Sequence, residues 1–309
     1  MTPQDAHVPS DQRGWLAADG TRDETSPLPD AWVMAASDAT PLGQAIEAFI
    51  ALDAPPDEER DAAVRSLRVR GGIGASVSEV PRRLDRFPNL TELSLGAGVD
   101  PTIVSSMTDG AIPDTVTTLE VWTGGAPTRW PRGMVLPSVR RLQTDGPTTF
   151  TAQTFPNLEH AHLAPTKTSF EALLALPRLA ALQLRTVPHP APEIFEKIAH
   201  LPLVDLGLLG GRKITDLAGI ELVPGLRRLR LQSLPVLTSI AALEGLEHLE
   251  ELLILYCSRI EDIETVTRIP SLGRFDAYGC TGIGLEALES FLDEHSAHRT
   301  HRRPEASTA

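Results

Sequence analysis

The sequence contains little cysteine, few aromatic residues and no long apolar run. Its 309 residues include two cysteines, which cannot form a disulfide framework. The N-terminus also lacks a basic segment followed by an apolar one, so we expect a protein of the reducing cytoplasm. The longest apolar runs, such as Leu252–Tyr256, are far shorter than the roughly 20 residues needed to cross a bilayer. A membrane partner is therefore not expected.

Basic residues are also scarce relative to acidic ones. The chain has 28 Lys and Arg against 41 Asp and Glu, which gives a formal net charge of -13. No basic run stands in the body of the chain, so non-specific binding of nucleic acid or anionic lipid is disfavoured. The apolar fraction of 41% and the charged fraction of 22% are typical of folded proteins. We expect a monomer whose partners are proteins, peptides or cationic ligands.

A repeated pattern of leucines accounts for most of the chain. Leu226–Leu231, Leu249–Ile254 and Leu272–Ala277 each read L-x-x-L-x-L or a close variant, and their first residues are 23 positions apart. Ten such units begin at Val64, Leu90, Val116, Val139, Leu158, Leu179, Leu203, Leu226, Leu249 and Leu272. A unit of 19 to 26 residues has room for one short strand and a return segment. Stacking of neighbouring units then buries the apolar side chains that a single unit would leave exposed.

This pattern resembles the leucine-rich repeat family over residues 64–283, and the C-terminal half resembles its short-repeat, cytosolic bacterial-type subtype. The resemblance implies an α/β solenoid. Such a fold is an arc with a parallel concave β-sheet, a convex side of 3₁₀ or short helical segments, and helical caps at both ends. The family usually has Asn or Cys at the ninth position of each unit, where Cys257 and Cys280 stand in the last two units. We expect both thiols to be buried and structural.

The flanks differ from the repeats in composition. Residues 1–39 hold seven acidic residues against two arginines and are predicted to be an acidic, largely disordered segment. Residues 40–63 are predicted to form an N-terminal capping helix region, because apolar residues recur there at helical spacing. Residues 284–294 are predicted to form a C-terminal capping helix, and residues 295–309 a disordered tail.

The sequence shows no signature of a catalytic, cofactor or metal site, so we expect neither enzymatic activity nor a cofactor. The segment Gly210–Lys213 places a lysine near glycines but lacks the spacing of a phosphate-binding loop. His160 and His162 alternate on one predicted strand and should face solvent together. Two such imidazoles could bind a metal or respond to pH, although we favour the interpretation that they belong to an ordinary polar strand face.

The outward positions of the last strands are the candidate binding surface. Leu253, Leu255 and Tyr278 form an apolar group where polar side chains would be ordinary, and Tyr256 extends it. Charged residues rim this group: Arg228, Arg230, Glu251, Arg274 and Asp276. An apolar centre with a charged rim is typical of a protein interface, although the charges alone could form an exposed ladder of little energetic weight. We predict a non-catalytic module that presents this concave surface to a protein or peptide partner.

One alternative places function in the N-terminal flank. The segment Leu28–Met34 resembles the start of an F-box. The resemblance implies an adaptor that recruits another machine through this flank and uses its repeats as the substrate receptor.

Overall fold

A strand lies in each of the ten predicted repeats in the computed structural model of the chain. The structure describes residues 15–16, 22–23, 31–37, 48–51, 58–71, 84–96, 99–187, 189–281, 284 and 291. The chain divides into two compact units. The first comprises Met1–Leu158 with Pro165–Ala175, and the second comprises Glu159–Ala164 with Leu176–Ala309.

The first unit contains four repeat strands with a group of strands before them. Its elements are β1 (Trp15–Leu16), β2 (Arg22–Asp23), β3 (Ala31–Ser37), β4 (Ala48–Ala51), α1 (Glu58–Ala63), β5 (Val64–Gly71), η1 (Leu84–Arg86, a 3₁₀ segment), β6 (Glu92–Leu95), α2 (Thr102–Ser105), β7 (Thr118–Val121), β8 (Thr128–Arg129), β9 (Arg141–Thr149) and α3 (Lys167–Leu174). Strands β5, β6, β7 and β9 pair in this order and run parallel, and β8 pairs with β9. The repeats of this unit therefore stack in chain order.

The second unit contains six repeat strands joined by a helix or 3₁₀ segments. Its elements are β10 (His160–Pro165), β11 (Ala181–Leu184), α4 (Ala191–Ile198), β12 (Asp205–Leu209), η2 (Ile220–Leu222), β13 (Arg228–Gln232), η3 (Ala241–Gly245), β14 (Glu251–Leu255), η4 (Ile263–Arg268) and β15 (Arg274–Tyr278). Strands β10 to β15 pair in chain order, and every pair is parallel. The return segments after β12, β13 and β14 are 3₁₀ turns, whereas α4 follows β11. None of the described helices is long and apolar enough to cross a membrane.

The strand register reproduces the repeat that the sequence predicts. In the second unit Leu206, Leu229 and Leu252 stand opposite one another on β12, β13 and β14. In the first unit Leu67, Leu93, Leu119 and Leu142 form the same kind of row. All these leucines are buried, as are the first residues of all ten units. One parallel strand per unit, with its alternate apolar residues in the core, confirms the leucine-rich repeat fold.

The predicted N-terminal capping region, residues 40–63, contains both a strand and a helix where the structure describes it. Residues 48–51 form β4 and not the predicted helix, and Glu58–Ala63 are helical. Strand β4 pairs with β3, which in turn runs antiparallel along β5. This pairing satisfies the backbone groups at the edge of the first repeat strand, which a helix could not hydrogen-bond in the same way. A short apolar run fits either conformation, and the long-range pairing decides between them.

Two further expectations concern the ends of the chain. The segment 1–39 was expected to be largely disordered, but its residues 31–37 form a strand. The C-terminal helix expected at 284–294 and the tail expected at 295–309 lie outside the described residues, apart from positions 284 and 291.

Candidate functional site

The outward side chains of the second unit form three rows across its sheet. Because side chains alternate along a strand, each parallel pairing places the outward residues of neighbouring strands side by side. The first row is His160, Ala181, Asp205, Arg228, Glu251 and Arg274, the second is His162, Gln183, Gly207, Arg230, Leu253 and Asp276, and the third includes Leu209, Gln232, Leu255 and Tyr278. The eight residues predicted as a partner surface thus stand together on three neighbouring strands.

Four of the five charged residues of this surface form ion pairs: Arg228, Glu251, Arg274 and Asp276. The Nε of Arg228 donates to Oδ2 of Asp205 at 2.9 Å, and the Nε of Arg274 donates to Oδ2 of Asp276 at 3.1 Å. The hydrogen bond that Arg228 donates to Asp205 raises the pKa of the Arg228 guanidinium. These pairs are partly exposed, so each contributes little to stability. They fix the positions of the charges around the apolar centre.

The apolar centre consists of Leu253, Leu255, Tyr256 and Tyr278, which we call the tyrosine patch. Leu253 and Leu255 are half-buried, whereas Tyr256 and Tyr278 are 52% and 56% exposed. The two tyrosine rings pack edge to face, with centroids 5.7 Å apart. They are the two tyrosines of the whole chain. This aromatic surface therefore stands open to solvent in a protein that has few aromatic residues.

Tyr256 occupies a turn position at which glycine would be less strained. The residue directly after the strand has a positive φ in four successive repeats: Gly210 (81°), Ser233 (52°), Tyr256 (53°) and Gly279 (66°). The N–H of Tyr256 donates to the carbonyl of Tyr278, and its counterparts at 210 and 233 bond the next repeat in the same way. A left-handed conformation costs a residue with a Cβ about 1–2 kcal/mol. Strain of this kind concentrates at functional sites.

The ring of Tyr256 also depends on the glycine of the next repeat. A Cβ at Gly279 would stand 2.4 Å from Cδ1 of Tyr256, closer than any real carbon contact. The ring therefore lies directly over the Gly279 backbone and against the Tyr278 ring. Tyr256 is positioned by its neighbours on both sides, which holds its exposed face in one orientation.

The two histidines of β10 share the outward face expected from the sequence, but both are half-buried and do not stand open to solvent. His162 is half-buried, and its Nε2 is buried without a hydrogen-bond partner. Burial lowers the pKa of His162 to about 4, and the positive charges of Arg185 and Arg230 lower it further in the same direction. His162 is therefore neutral at physiological pH, which argues against pH sensing there. Among the described residues, no three potential metal-ligating side chains come together.

Cys257 and Cys280 are buried, as expected, and they pack against each other. The backbone N–H of Cys257 donates to Sγ of Cys280 at 3.4 Å. The Cys280 thiol in turn bonds the carbonyl of Tyr278 at 3.4 Å. Burial raises the pKa of the Cys257 thiol to about 11 and also raises that of Cys280. The two cysteines thus satisfy backbone hydrogen-bonding groups of the turns next to the tyrosine patch.

We predict that both cysteines react slowly with a thiol reagent in the native protein. With a pKa of about 11, roughly one Cys257 in ten thousand is ionised at pH 7, and the thiolate is the reactive form. The labelling rate should rise about tenfold for each added pH unit while the fold persists. The rate is measured by stopping the labelling reaction at a series of times and determining the labelled fraction by mass spectrometry. Denatured protein is the control. Native labelling as fast as the denatured control would contradict a structural role.

Comparison with known proteins yields similarity only among solved structures. No protein-family model and no curated protein matches the chain. It is similar to the crystal structure of an internalin C2 from Listeria monocytogenes str. 4b F2365, with 14% identity and a TM-score of 0.38 over 71% of this chain and 83% of that chain. It is also similar to an internalin, inlF, from the same strain, with 13% identity and a TM-score of 0.36 over 84% of this chain and 92% of that chain. The assignment of the fold rests on the strand register and the repeats.

Proposed function

We propose that this chain is a non-catalytic interaction module that binds a protein or peptide partner through the tyrosine patch. One observation carries the proposal: Tyr256 and Tyr278 are each more than half exposed and pack edge to face, and Tyr256 does so in a strained backbone conformation. Folding alone does not require this arrangement. The equivalent positions 210 and 279 hold glycine, which completes the same turn without strain.

The chemistry of the patch suits an interface centre. Tyrosine is enriched at binding hot spots, because its ring offers a large apolar area and its hydroxyl a hydrogen-bonding group. Ring packing against Gly279 and Tyr278 restricts Tyr256 before any partner arrives, which reduces the entropy lost on binding. Leu253 and Leu255 add apolar surface beside the rings. A partner should therefore bring an apolar group to this centre.

The paired charges around the patch suit an interface rim. Arg274 lies between Glu251 and Asp276, while Arg228 is bonded to Asp205. Exposed pairs at a rim contribute more to partner choice and association rate than to affinity. We expect substitutions of these rim residues to alter the salt dependence of binding, with a smaller effect on its strength.

Affinity capture from native cell extract tests the proposal. The variant Leu255→Glu with Tyr278→Ala should lose partners that the wild type retains, because it removes exposed aromatic area and places a charge at the centre of the patch. Leu222→Glu is the matched control, since Leu222 is an exposed leucine of the same unit, on the 3₁₀ segment η2. Partners should remain on this control. Equal retention by all three proteins, with unchanged melting temperatures, would contradict the proposal.

A second variant separates binding from stability. Tyr256→Gly removes the ring and relieves the strained backbone, and this relief offsets the extra chain entropy that glycine brings to the unfolded state. Its melting temperature should therefore stay within a few degrees of the wild type, whereas affinity for a captured partner should fall about tenfold or more. If the variant bound the captured partner with unchanged affinity, Tyr256 would not belong to the binding surface.

The adaptor alternative remains a prediction without a supporting structural observation. The part of its F-box-like segment that the structure describes belongs to strand β3. Capture with residues 60–309 in place of the whole chain would show whether the N-terminal flank recruits a partner of its own.

A further inference from the structure

A surface cleft of about 560 Å³ lies in the second unit, at the carboxyl ends of β11, β12 and β13. Three of its lining side chains are cationic: Arg185, Arg212 and Lys213. Thr186 and Ser233, which carry hydroxyls, line it as well, and none of the described residues that line it is acidic. The cleft lies on other repeats than the tyrosine patch and is therefore a separate surface feature.

The glycine pair at the start of Gly210–Lys213 builds this cleft. Gly210 has a left-handed φ of 81°, and a Cβ there would stand 3.2 Å from the carbonyl oxygen of Arg185. A Cβ at Gly211 would stand 3.3 Å from Val187. The chain thus passes tightly against the preceding repeat before Arg212 and Lys213 turn into the same cleft as Arg185. The segment that lacks phosphate-loop spacing in sequence nevertheless gathers cations in space.

The arginines of the cleft differ from other arginines of the unit in their partners. Arg228 and Arg274 form ion pairs with carboxylates, as does Arg268 with Glu244. In the part of the chain that the structure describes, neither Arg185 nor Arg212 has a carboxylate at ion-pair distance. A chain with a net charge of -13 has many carboxylates available, yet none of the described residues that line the cleft is acidic. The guanidinium charges of Arg185 and Arg212 are therefore not neutralised by any carboxylate among the described residues.

This positive region extends over the neighbouring sheet face. The Nη2 of Arg230 donates to Gln232, but its Nε is buried without an acceptor. Across the face, Arg185 and Arg230 both act on His162, whose pKa falls to about 4 chiefly through burial. Gly207 lies between Gln183 and Arg230 in their row and places no side chain there. The surroundings of the cleft thus supply unsatisfied donors and positive charge on one side of the unit.

We propose that the cleft binds an oxyanion group, a phosphate ester or a carboxylate, carried by an extended peptide segment. Arginine forks hold either group through two parallel hydrogen bonds, and the two hydroxyls supply further donors. A peptide suits the site better than a nucleic acid, because the overall negative charge repels a polyanion while a single cluster attracts one anionic group. This inference goes beyond the proposed function and does not depend on the tyrosine patch.

Fluorescence anisotropy with three short labelled peptides tests this inference on the whole chain. One peptide carries consecutive glutamates, one carries a phosphoserine, and one carries glutamines as the neutral control. At low salt the phosphoserine peptide, the glutamate peptide or both should bind saturably and at least about tenfold more tightly than the neutral one. The stronger of the two anionic peptides identifies the source of the oxyanion.

Charge-matched variants decide whether the cleft is the site. Arg185→Gln with Arg212→Gln should weaken anionic-peptide binding by at least about tenfold. Arg178→Gln with Arg259→Gln removes the same charge from two exposed positions elsewhere in the unit and should change binding by less than about twofold. Tyr278→Ala should bind these peptides as the wild type does, which separates this inference from the proposed function.

Three results would overturn the inference. The first is that neither anionic peptide binds saturably. The second is that both double variants lose binding equally, which would indicate a non-specific effect of net charge. The third is tighter binding of a single-stranded oligonucleotide than of either peptide, which would reassign the cleft to nucleic acid. Melting curves of each variant ensure that a loss of binding is not a loss of fold.

Discussion

Leu229→Ala should lower the free energy of unfolding by about 2–5 kcal/mol. Leu229 is 2% exposed and lies in register between Leu206 and Leu252, which are also buried. Truncation removes three carbon atoms from this row and leaves a cavity, because the flanking strands are held in place by their own backbone hydrogen bonds. Chemical denaturation of the variant and the wild type measures the change.

The consequences of this cavity should extend along the repeats. Each repeat packs on its neighbours, so a weakened β13 should loosen β14 and β15 as well. Hydrogen exchange should show faster exchange there than in β11. Leu222→Ala is the control, because Leu222 is 46% exposed and its truncation should stay within about 0.5 kcal/mol of the wild type. A loss below about 2 kcal/mol at Leu229 would mean that the row is not a packed core.

The repeats could be predicted because their pattern is local and recurs. In L-x-x-L-x-L the last two leucines stand two residues apart, which places both on one face of a strand. The 23-residue step from Leu226 to Leu249 to Leu272 then aligns equivalent strands. Each unit therefore predicts the same strand independently, and one irregular unit does not disturb the predicted register of the others.

The N-terminal strands could not be predicted in this way. Strand β4 pairs with β3, and β3 pairs with β5 some thirty residues further along the chain. The run at 48–51 carries two large apolar residues, Phe49 and Ile50, which suit a helix face as well as a strand. Non-local pairing decides the conformation, and one sequence does not reveal it.

The candidate site was partly predictable for a similar reason. Strand periodicity places Leu253 and Leu255 on the outward face, and the structure places them there beside Tyr278. The strain at Tyr256 emerges only from comparison of four turn positions, of which two hold glycine. The signal that the sequence offers for it is glycine at 210 and again at 279, three steps of 23 residues later. The cationic cleft depends on how a turn from one repeat packs on the next, and no spacing rule describes that.

A second large effect is expected from a buried ion pair in the first unit. Asp61, on α1, accepts two hydrogen bonds from Arg86 on η1, at 2.7 Å from Nε and 3.2 Å from Nη2. The two side chains are only 4% and 9% exposed, and the Arg86 guanidinium also lies over the ring of Phe87. The pair joins the helix before the first repeat strand to the return segment that follows that strand.

Asp61→Ala should destabilise the protein by about 3–5 kcal/mol, because it removes the carboxylate that is paired with the buried Arg86 charge. Replacing both partners, as Asp61→Leu with Arg86→Met, should recover most of this loss, since the desolvation cost of both charges disappears together. Urea denaturation of the wild type, the single variants Asp61→Leu and Arg86→Met, and the double variant measures the coupling between the two residues. If the double variant were as unstable as the sum of the two single variants, the pair would contribute through separate contacts, and the ion pair would not be what joins α1 to η1.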